Sequence, residues 1–229
     1  PELGKEVYAG GFTLAVGGSA IVAAALHRLG SNVGLIADLG SDPMSRLVSV
    51  LLDDLGLDQR LIRRHDYPLP QVTAALSFPQ DRAFVSRFVR PETPRDLRAL
   101  LAAHPARHIH VCGFLALEET PDVVDLAHEA GMTASLDVGW DEQALRDPVL
   151  RKAISSVDIF MPSKGELCAV MQTDDAEAAL SQAVAMLPDG VVVVKDGCHG
   201  AIACQLDVRE RVDALPVKPV DTTGAGDSF

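Results

Sequence analysis

From Ala176 to Gln205 the chain reads AEAALSQAVAML, then PDG, VVVV, KDGCHG and AIACQ. The first block, Ala176 to Leu187, is dense in Ala and Leu and free of Gly and Pro, which predicts a helix. Pro188-Asp189-Gly190 stops it. Val191-Val192-Val193-Val194 lacks the polar alternation of a half-exposed strand and reads as a strand buried in a parallel sheet. Lys195-Asp196-Gly197-Cys198-His199-Gly200 turns the chain, and Ala201 to Gln205 forms the next strand. A helix that delivers an apolar strand to the interior is the repeating unit of an α/β sheet with helical layers.

The same punctuation recurs along the chain. Ala20 to Leu29 is an Ala-rich helix closed by Gly30, and Val33 to Ala37 is a strand. Asp42-Pro43 supplies an N-cap and a first-turn proline for a helix that ends at Leu55 and Gly56. A helix over Arg95 to Ala103 precedes a strand over His108 to Cys112. Thr120-Pro121 caps a helix reaching Ala130, and Met132 to Asp137 is a strand. Asp147-Pro148 starts a short helix, Asp158 to Met161 is a strand, and Ser163 opens another helix. One region breaks this order. Gln71 to Phe78 and Ala83 to Val89 are two β-like runs joined by Pro79-Gln80-Asp81-Arg82, a hairpin projecting as a small flap. The expectation is a single α/β domain over 1–229 with a doubly wound, mainly parallel sheet flanked by helices. A β-lid is expected from about 7–14 and 68–90. In open parallel sheets, ligands bind at the carboxyl ends of the strands.

Composition narrows the function. Of the 229 residues 48% are hydrophobic but only 4% aromatic, so the core must rely on Ala, Val and Leu. A formal net charge of −12 argues against a nucleic-acid partner. It still permits a nucleotide, whose phosphates local amides and one lysine can hold. The four cysteines, Cys112, Cys168, Cys198 and Cys204, form no Cys-x-x-Cys pair. Zinc is therefore not expected, and a reducing cytoplasmic compartment is the simplest setting. Cys112 and Cys204 sit in apolar runs and read as core residues. No apolar run reaches membrane-span length, so no membrane partner is expected.

The sequence ends on Asp221-Thr222-Thr223-Gly224-Ala225-Gly226-Asp227-Ser228-Phe229. Glycines there let main-chain amides approach an anion closely, and a helix N-terminus adds partial positive charge. Asp227, directly behind them, can take a proton from an attacking hydroxyl. The pattern resembles the Asp-Thr-x-Gly-Ala-Gly-Asp signature of the ribokinase-like (PfkB-type) carbohydrate kinase family. The resemblance runs in order over nearly all of the chain, from Gly17-Gly18 to Phe229.

It implies that the amides of Gly224, Ala225 and Gly226 form an anion hole and that Asp227 is the general base. Helix-start amides should keep its carboxylate ionised. The plainer reading is a glycine-rich turn with an aspartate in the first helical turn. Gly17-Gly18 would line the sugar pocket, or simply turn a strand into a helix. The Asn that the family carries on that helix is absent, the two patterns fitting best with one residue missing between Ile21 and Val22. Lys195, Gly197 and Gly200 would lie under the nucleotide; a hairpin turn between two strands needs the same glycines. In Ser163-Lys164-Gly165-Glu166 the family has Asn-x-x-Glu, whose Glu helps organise Mg²⁺ through water. Ser-x-x-Glu is equally a capping box. Asp221 and Thr223 correspond to a stretch that binds potassium in relatives. Glu118 falls where some relatives place a sugar-binding carboxylate, although acids near helix starts are usually just solvated. His108 and His110 share one strand face and have no third ligand in view, so partial burial is the expectation for them.

The resemblance thus implies ATP-dependent phosphorylation of a sugar or sugar-like hydroxyl with Mg²⁺ and K⁺, by a homodimer joined through the β-lid; relatives handle sugars, sugar phosphates, sugar acids and nucleosides. A first strand carrying a sugar-binding aspartate is expected before Pro1, and helices completing the anion hole after Phe229. A non-catalytic sugar- or nucleoside-binding protein on the same scaffold is the alternative. The absent Asn and Ser163 favour it, and Asp227 opposes it. An NAD-dependent oxidoreductase would need a Gly-x-Gly-x-x-Gly after a first strand, and the chain has none in that place.

Overall fold

A computed structural model describes Glu6, Tyr8 and residues 10–77, 82–218, 222 and 224–229. The chain divides near Pro91 into two compact units.

The first unit opens with α1 (Gly18–Arg28), started by the extended backbone of Gly17. β1 (Ala37–Leu39) and β2 (Ile62–Arg64) pair in parallel, with α2 (Pro43–Asp54) between them in sequence. The expected strand over Val33 to Ala37 overlaps β1 only at Ala37, because the ladder with Ile62 begins there. Ala23 and Ala24 of α1 pack with Leu35, Leu39, Leu52, Leu57 and Ile62 in one apolar cluster. The small alanines let a helix approach the strand pair closely, as the scarcity of aromatics requires.

Asp42 caps α2 as expected. Its carboxylate accepts from Ser45 N at 3.0 Å, Ser45 Oγ at 2.8 Å and Leu69 N at 2.9 Å, so the cap also ties the helix start to the 69 region. Burial pushes this carboxyl up, but the hydrogen bonds from Ser45 and Leu69 outweigh it and hold the group below its ordinary value. A depressed carboxyl stabilises above its unfolded-state value, and that stabilisation is lost as the pH falls through the folded-state value. Asp42→Ala should cost about 2 kcal/mol in urea unfolding at neutral pH. The gap from wild type should shrink as the pH falls into the acid range.

β3 (Gln71–Ser77) and β4 (Arg82–Phe88) form the expected hairpin, in antiparallel register from Gln71 opposite Phe88 to Ser77 opposite Arg82. Thr73 and Ser86 share a 2.8 Å hydroxyl hydrogen bond across it. Val72, Leu76, Phe84, Val85 and Phe88 are all more than a third exposed. Phe78 and the Pro79–Asp81 turn lie outside the described residues. No strand occurs at residues 10–14, so of the two segments expected to form a lid only the second has paired strands among the described residues.

The second unit contains α3 (Leu97–Ala103), β5 (His108–Cys112), α4 (Phe114–Glu119), α5 (Val123–Glu129) and β6 (Thr133–Asp137). It continues with α6 (Pro148–Ile154), β7 (Ile159–Phe160), α7 (Lys164–Met171) and α8 (Ala176–Met186). β8 (Val191–Lys195), β9 (Ala201–Gln205) and β10 (Val208–Val212) complete it. The six strands form one sheet ordered β10-β9-β8-β7-β6-β5. β5 to β8 are parallel, and β9 and β10 are added antiparallel.

Thr120 does not cap the next helix. Gly113, at φ 92°, starts the short α4 directly after β5, and Thr120 ends it. The sheet's apolar face carries Val111, Ala134, Leu136, Phe160, Val192 and Val194, all buried, and α5 and α8 pack on β6 and β8. Val191 and Val193 are only half-buried, so the valine run is covered fully on one face and not on both. The other face carries His108, His110 and Cys112 from β5, and Ser135 and Asp137 from β6, as the register and the two-residue alternation require. Lys195 follows Val191 and Val193 onto that same face from β8.

Candidate active site

The carboxyl ends of β5, β6 and β8 bring Cys112, Asp137 and Lys195 together with the turn that carries Asp227. Lys195 donates to Asp137 Oδ2 in an ion pair whose side chains are only 12% and 18% exposed. Asp137 Oδ1 accepts from Val138 N at 2.9 Å, which fixes the carboxylate plane. Lys195 itself is held by its amide, which donates to the Pro162 carbonyl at 2.9 Å, and by a parallel bridge to Ser163.

Residues 224–228 form turns, with Ala225 N donating to Thr222 O at 3.2 Å and Phe229 N to Gly226 O at 3.3 Å. Gly224 has φ 74°, a conformation that favours glycine. A Cβ on Gly226 would lie 3.7 Å from Lys195 Nζ, so the ammonium rests beside the glycine turn.

Asp227 is half-buried, and its carboxyl is raised above its ordinary value. Burial is the main cause and the Asp137 charge adds to it, while Lys195 opposes both. The expectation is that helix-start amides favour the ionised carboxylate; here the influences are burial and Asp137, which disfavour it, and Lys195, which favours it. The described turn contains no helix, and desolvation beside a second carboxylate dominates. Cys112 faces the same charges. Burial, then Asp227 and Asp137, push its thiol up to about 12, so it stays protonated and is not the plain core residue expected.

Ser163 and Glu166 make a complete capping box at the start of α7. Glu166 N donates to Ser163 Oγ at 3.3 Å, and Ser163 N donates to Glu166 Oε2 at 2.7 Å. Glu166 is buried, with one oxygen committed to the cap. Among the described residues no group of three His, Cys, Asp or Glu is placed to hold a metal ion. A Mg²⁺ held mainly by phosphate oxygens and water, with one protein carboxylate, fits this donor set.

Gly197 and Gly200 lie in the turn between β8 and the antiparallel β9, closed by Asp196 N donating to Gly200 O at 2.8 Å. Gly197, at φ 54°, has open space where a Cβ would stand. Gly200 does not: a Cβ there would overlap the Val212 carbonyl and stand 2.9 Å from Ala214 N. Gly17 and Gly18 belong to the first unit, at the N-cap and first position of α1. Glu118 is exposed on α4, away from its helix start. Asp221 and Thr223 lie outside the described residues.

His108 Nε2 and His110 Nδ1 each lie 2.7 Å from Ser135 Oγ, and burial lowers both imidazoles. His110 is partly buried, as expected, whereas His108, at the start of β5, is exposed. All four cysteines are free thiols. No helix among the described residues is long and apolar enough to cross a membrane.

Asp137 was not among the residues singled out from the sequence. Its signal was a charged residue at the carboxyl end of a predicted apolar strand, where ligands of parallel sheets bind.

The chain is 26% identical over 226 residues to a fructokinase of Vibrio alginolyticus, covering 93% of this chain and 73% of that protein. It is 28% identical over 235 residues to a nucleoside kinase of Methanothermobacter thermautotrophicus, covering 93% and 68%. The fold is shared with a putative ribokinase II from E. coli. Its apo form superposes with a TM-score of 0.79 at 23% identity over 99% of this chain and 78% of that one. Its complex with ATP and Mg²⁺ superposes at 0.76. The family model for pfkB carbohydrate kinases matches residues 2–229. Motif, sheet and relatives agree, and the chain belongs to the pfkB family of carbohydrate kinases.

Proposed function

We propose that this carbohydrate kinase transfers the γ-phosphoryl group of ATP to a hydroxyl of a sugar or nucleoside, with Asp227 as general base. The observation that carries this reading is the half-buried Asp227 at a glycine turn, flanked by Lys195. The substrate oxygen attacks the γ-phosphorus while Asp227 accepts its proton. The bond from that phosphorus to the β–γ bridging oxygen breaks, and ADP leaves with the electron pair. A carboxylate whose pKa is raised above its ordinary value is a stronger proton acceptor than an ordinary one. The amides of Gly224, Ala225 and Gly226 and the Lys195 ammonium face the charge that develops on the phosphoryl oxygens.

Lys195, Gly197, Gly200 and Ser163 serve the nucleotide in this reading. Glu166 offers its remaining carboxylate oxygen toward Mg²⁺, which when bound neutralises phosphate charge. Asp221 and Thr223 hold K⁺, and Gly17, Gly18 and Glu118 contact the substrate; these assignments rest on the family resemblance. The chain is then one ribokinase-like domain bearing a lid. An isolated two-stranded ribbon is marginal in water, and the apolar residues exposed on β3 and β4 favour a homodimer formed through that lid. Four free thiols suit a cytoplasmic setting.

ADP release by the full-length protein should be measured against sugars, sugar phosphates, sugar acids and nucleosides, with Mg²⁺ and K⁺ present. Turnover on one of them is the expected result. Absence of turnover on all, with thermal stabilisation by some, would establish instead a binding protein on a kinase scaffold.

A further inference from the structure

We propose that Asp137 is a positioning residue for phosphoryl transfer: it anchors the Lys195 ammonium beside Gly226 and so holds a fixed cation at the turn that carries Asp227. The inference rests on the kinase reading of that turn. Asp137 and Lys195 come from strands separated in the sheet by β7, and their side chains meet across it. Both side chains point to that face, and both are largely withdrawn from water. A lysine and an aspartate are rarely buried to this degree unless each satisfies the other. The pair is therefore a built feature of the sheet end.

The geometry also dictates what the anchor does. Asp137 is locked by the Val138 amide, so it is the fixed partner. Lys195 has four rotatable side-chain bonds, and without a partner its head would sample solvent. With the partner in place, the ammonium lies against a glycine that offers no side chain to cover it. An anion bound at the turn meets a cation that needs no reorganisation. The groups facing this cluster are Cys112 and His110 from β5, Asp137 from β6, Lys195 from β8 and Asp227 from the turn.

The test uses the full-length protein with Asp137→Asn, Asp137→Glu and the double variant Asp137→Asn/Lys195→Met. Asp137→Asn should lower kcat about 10- to 100-fold with the sugar KM nearly unchanged, because a lost positioning contact acts in the transition state. The acid limb of the kcat profile should move to lower pH, since a like charge beside Asp227 is removed. Asp137→Glu should recover part of kcat. Measured beside Lys195→Met alone, the double variant should be no slower than the slower of its two single parents, since the two residues act as one unit.

A readout independent of turnover is the ¹⁵N resonance of Lys195 Nζ, assigned by its loss in Lys195→Arg. Ion-paired and shielded, it should be visible in wild type and vanish in Asp137→Asn. An unchanged resonance overturns the anchor whatever the kinetics show. A lower melting temperature with kcat, pH profile and resonance all unchanged reduces Asp137 to a structural residue. If wild type turns over no compound, the kinase reading fails, and the resonance alone decides whether the anchor exists. Should Asp137→Asn fail to fold, the double variant, which leaves no unpaired buried charge, is compared with Lys195→Met: equal kcat supports the anchor, and a further fall in kcat overturns it.

Discussion

Asp227→Asn is expected to lower kcat by about 10³-fold, within the range that positioned general bases supply. Affinities for nucleotide and sugar should stay within a few-fold of wild type. Asn matches Asp in size, so the turn keeps its shape, but the amide cannot accept the hydroxyl proton. The variant should fold as well as wild type. Asp227 is half-buried next to Asp137, so its ionisation is resisted in the folded state. A carboxyl raised on folding stabilises the fold at low pH and loses that contribution as the pH rises through its folded-state value. At neutral pH the neutral Asn therefore removes a small burden and no support. Loss of turnover with binding and melting temperature retained is the signature of a base. Equal loss of binding and turnover would make Asp227 a ligand contact, and unchanged turnover would sink the assignment. In wild type the acid limb of kcat should lie above the ordinary carboxylate range, for the same reason.

What could be read from the sequence was the local part of the fold. Asp42-Pro43, Asp147-Pro148 and Ser163 open helices where expected, because a cap is a contact over two or three residues. Gln71 and its hairpin partners were equally visible, since alternation and a short turn are also local. β1 and β2 were harder. Three-residue strands carry little periodicity, and their pairing joins residues 25 positions apart. α4 was hidden because Gly113 can start a helix without any capping side chain.

The site divides in the same way. The glycine turn and Asp227 form a contiguous motif and were legible. Asp137 was not, because its meaning comes from Lys195, 58 positions later. Cys112 read as core from its apolar neighbours. It became part of a charged cluster only once β5 paired with β6 and set it opposite Asp137. The influences on Asp227 were hidden for the same reason. The motif suggested helix amides, while the dominant influences are burial and a carboxylate from another strand.

Gly200→Ala should expose the two roles open to the turn after β8. Gly200 has φ 87° and ψ −139°, a region that side chains other than hydrogen resist. Its missing Cβ also makes room for β10 as that strand ends. An added methyl would overlap the Val212 carbonyl and crowd Ala214 N, both main-chain atoms that cannot rotate away. Backbone strain and overlap together should destabilise the protein by about 3 kcal/mol. For a chain of this size that corresponds to a fall of roughly 10 °C in melting temperature. Gly197→Ala is the control. Its Cβ direction is open, so it pays only for φ 54° and should cost about 1 kcal/mol. If Gly200 were kept for close approach of a nucleotide and not for β10, the order would reverse. Gly200→Ala would then melt near wild type and lose ATP affinity instead. Thermal melts of both variants, with and without ATP and Mg²⁺, separate the outcomes. The expected one is a large loss of stability for Gly200→Ala, with the shift on adding ATP preserved in whatever protein remains folded.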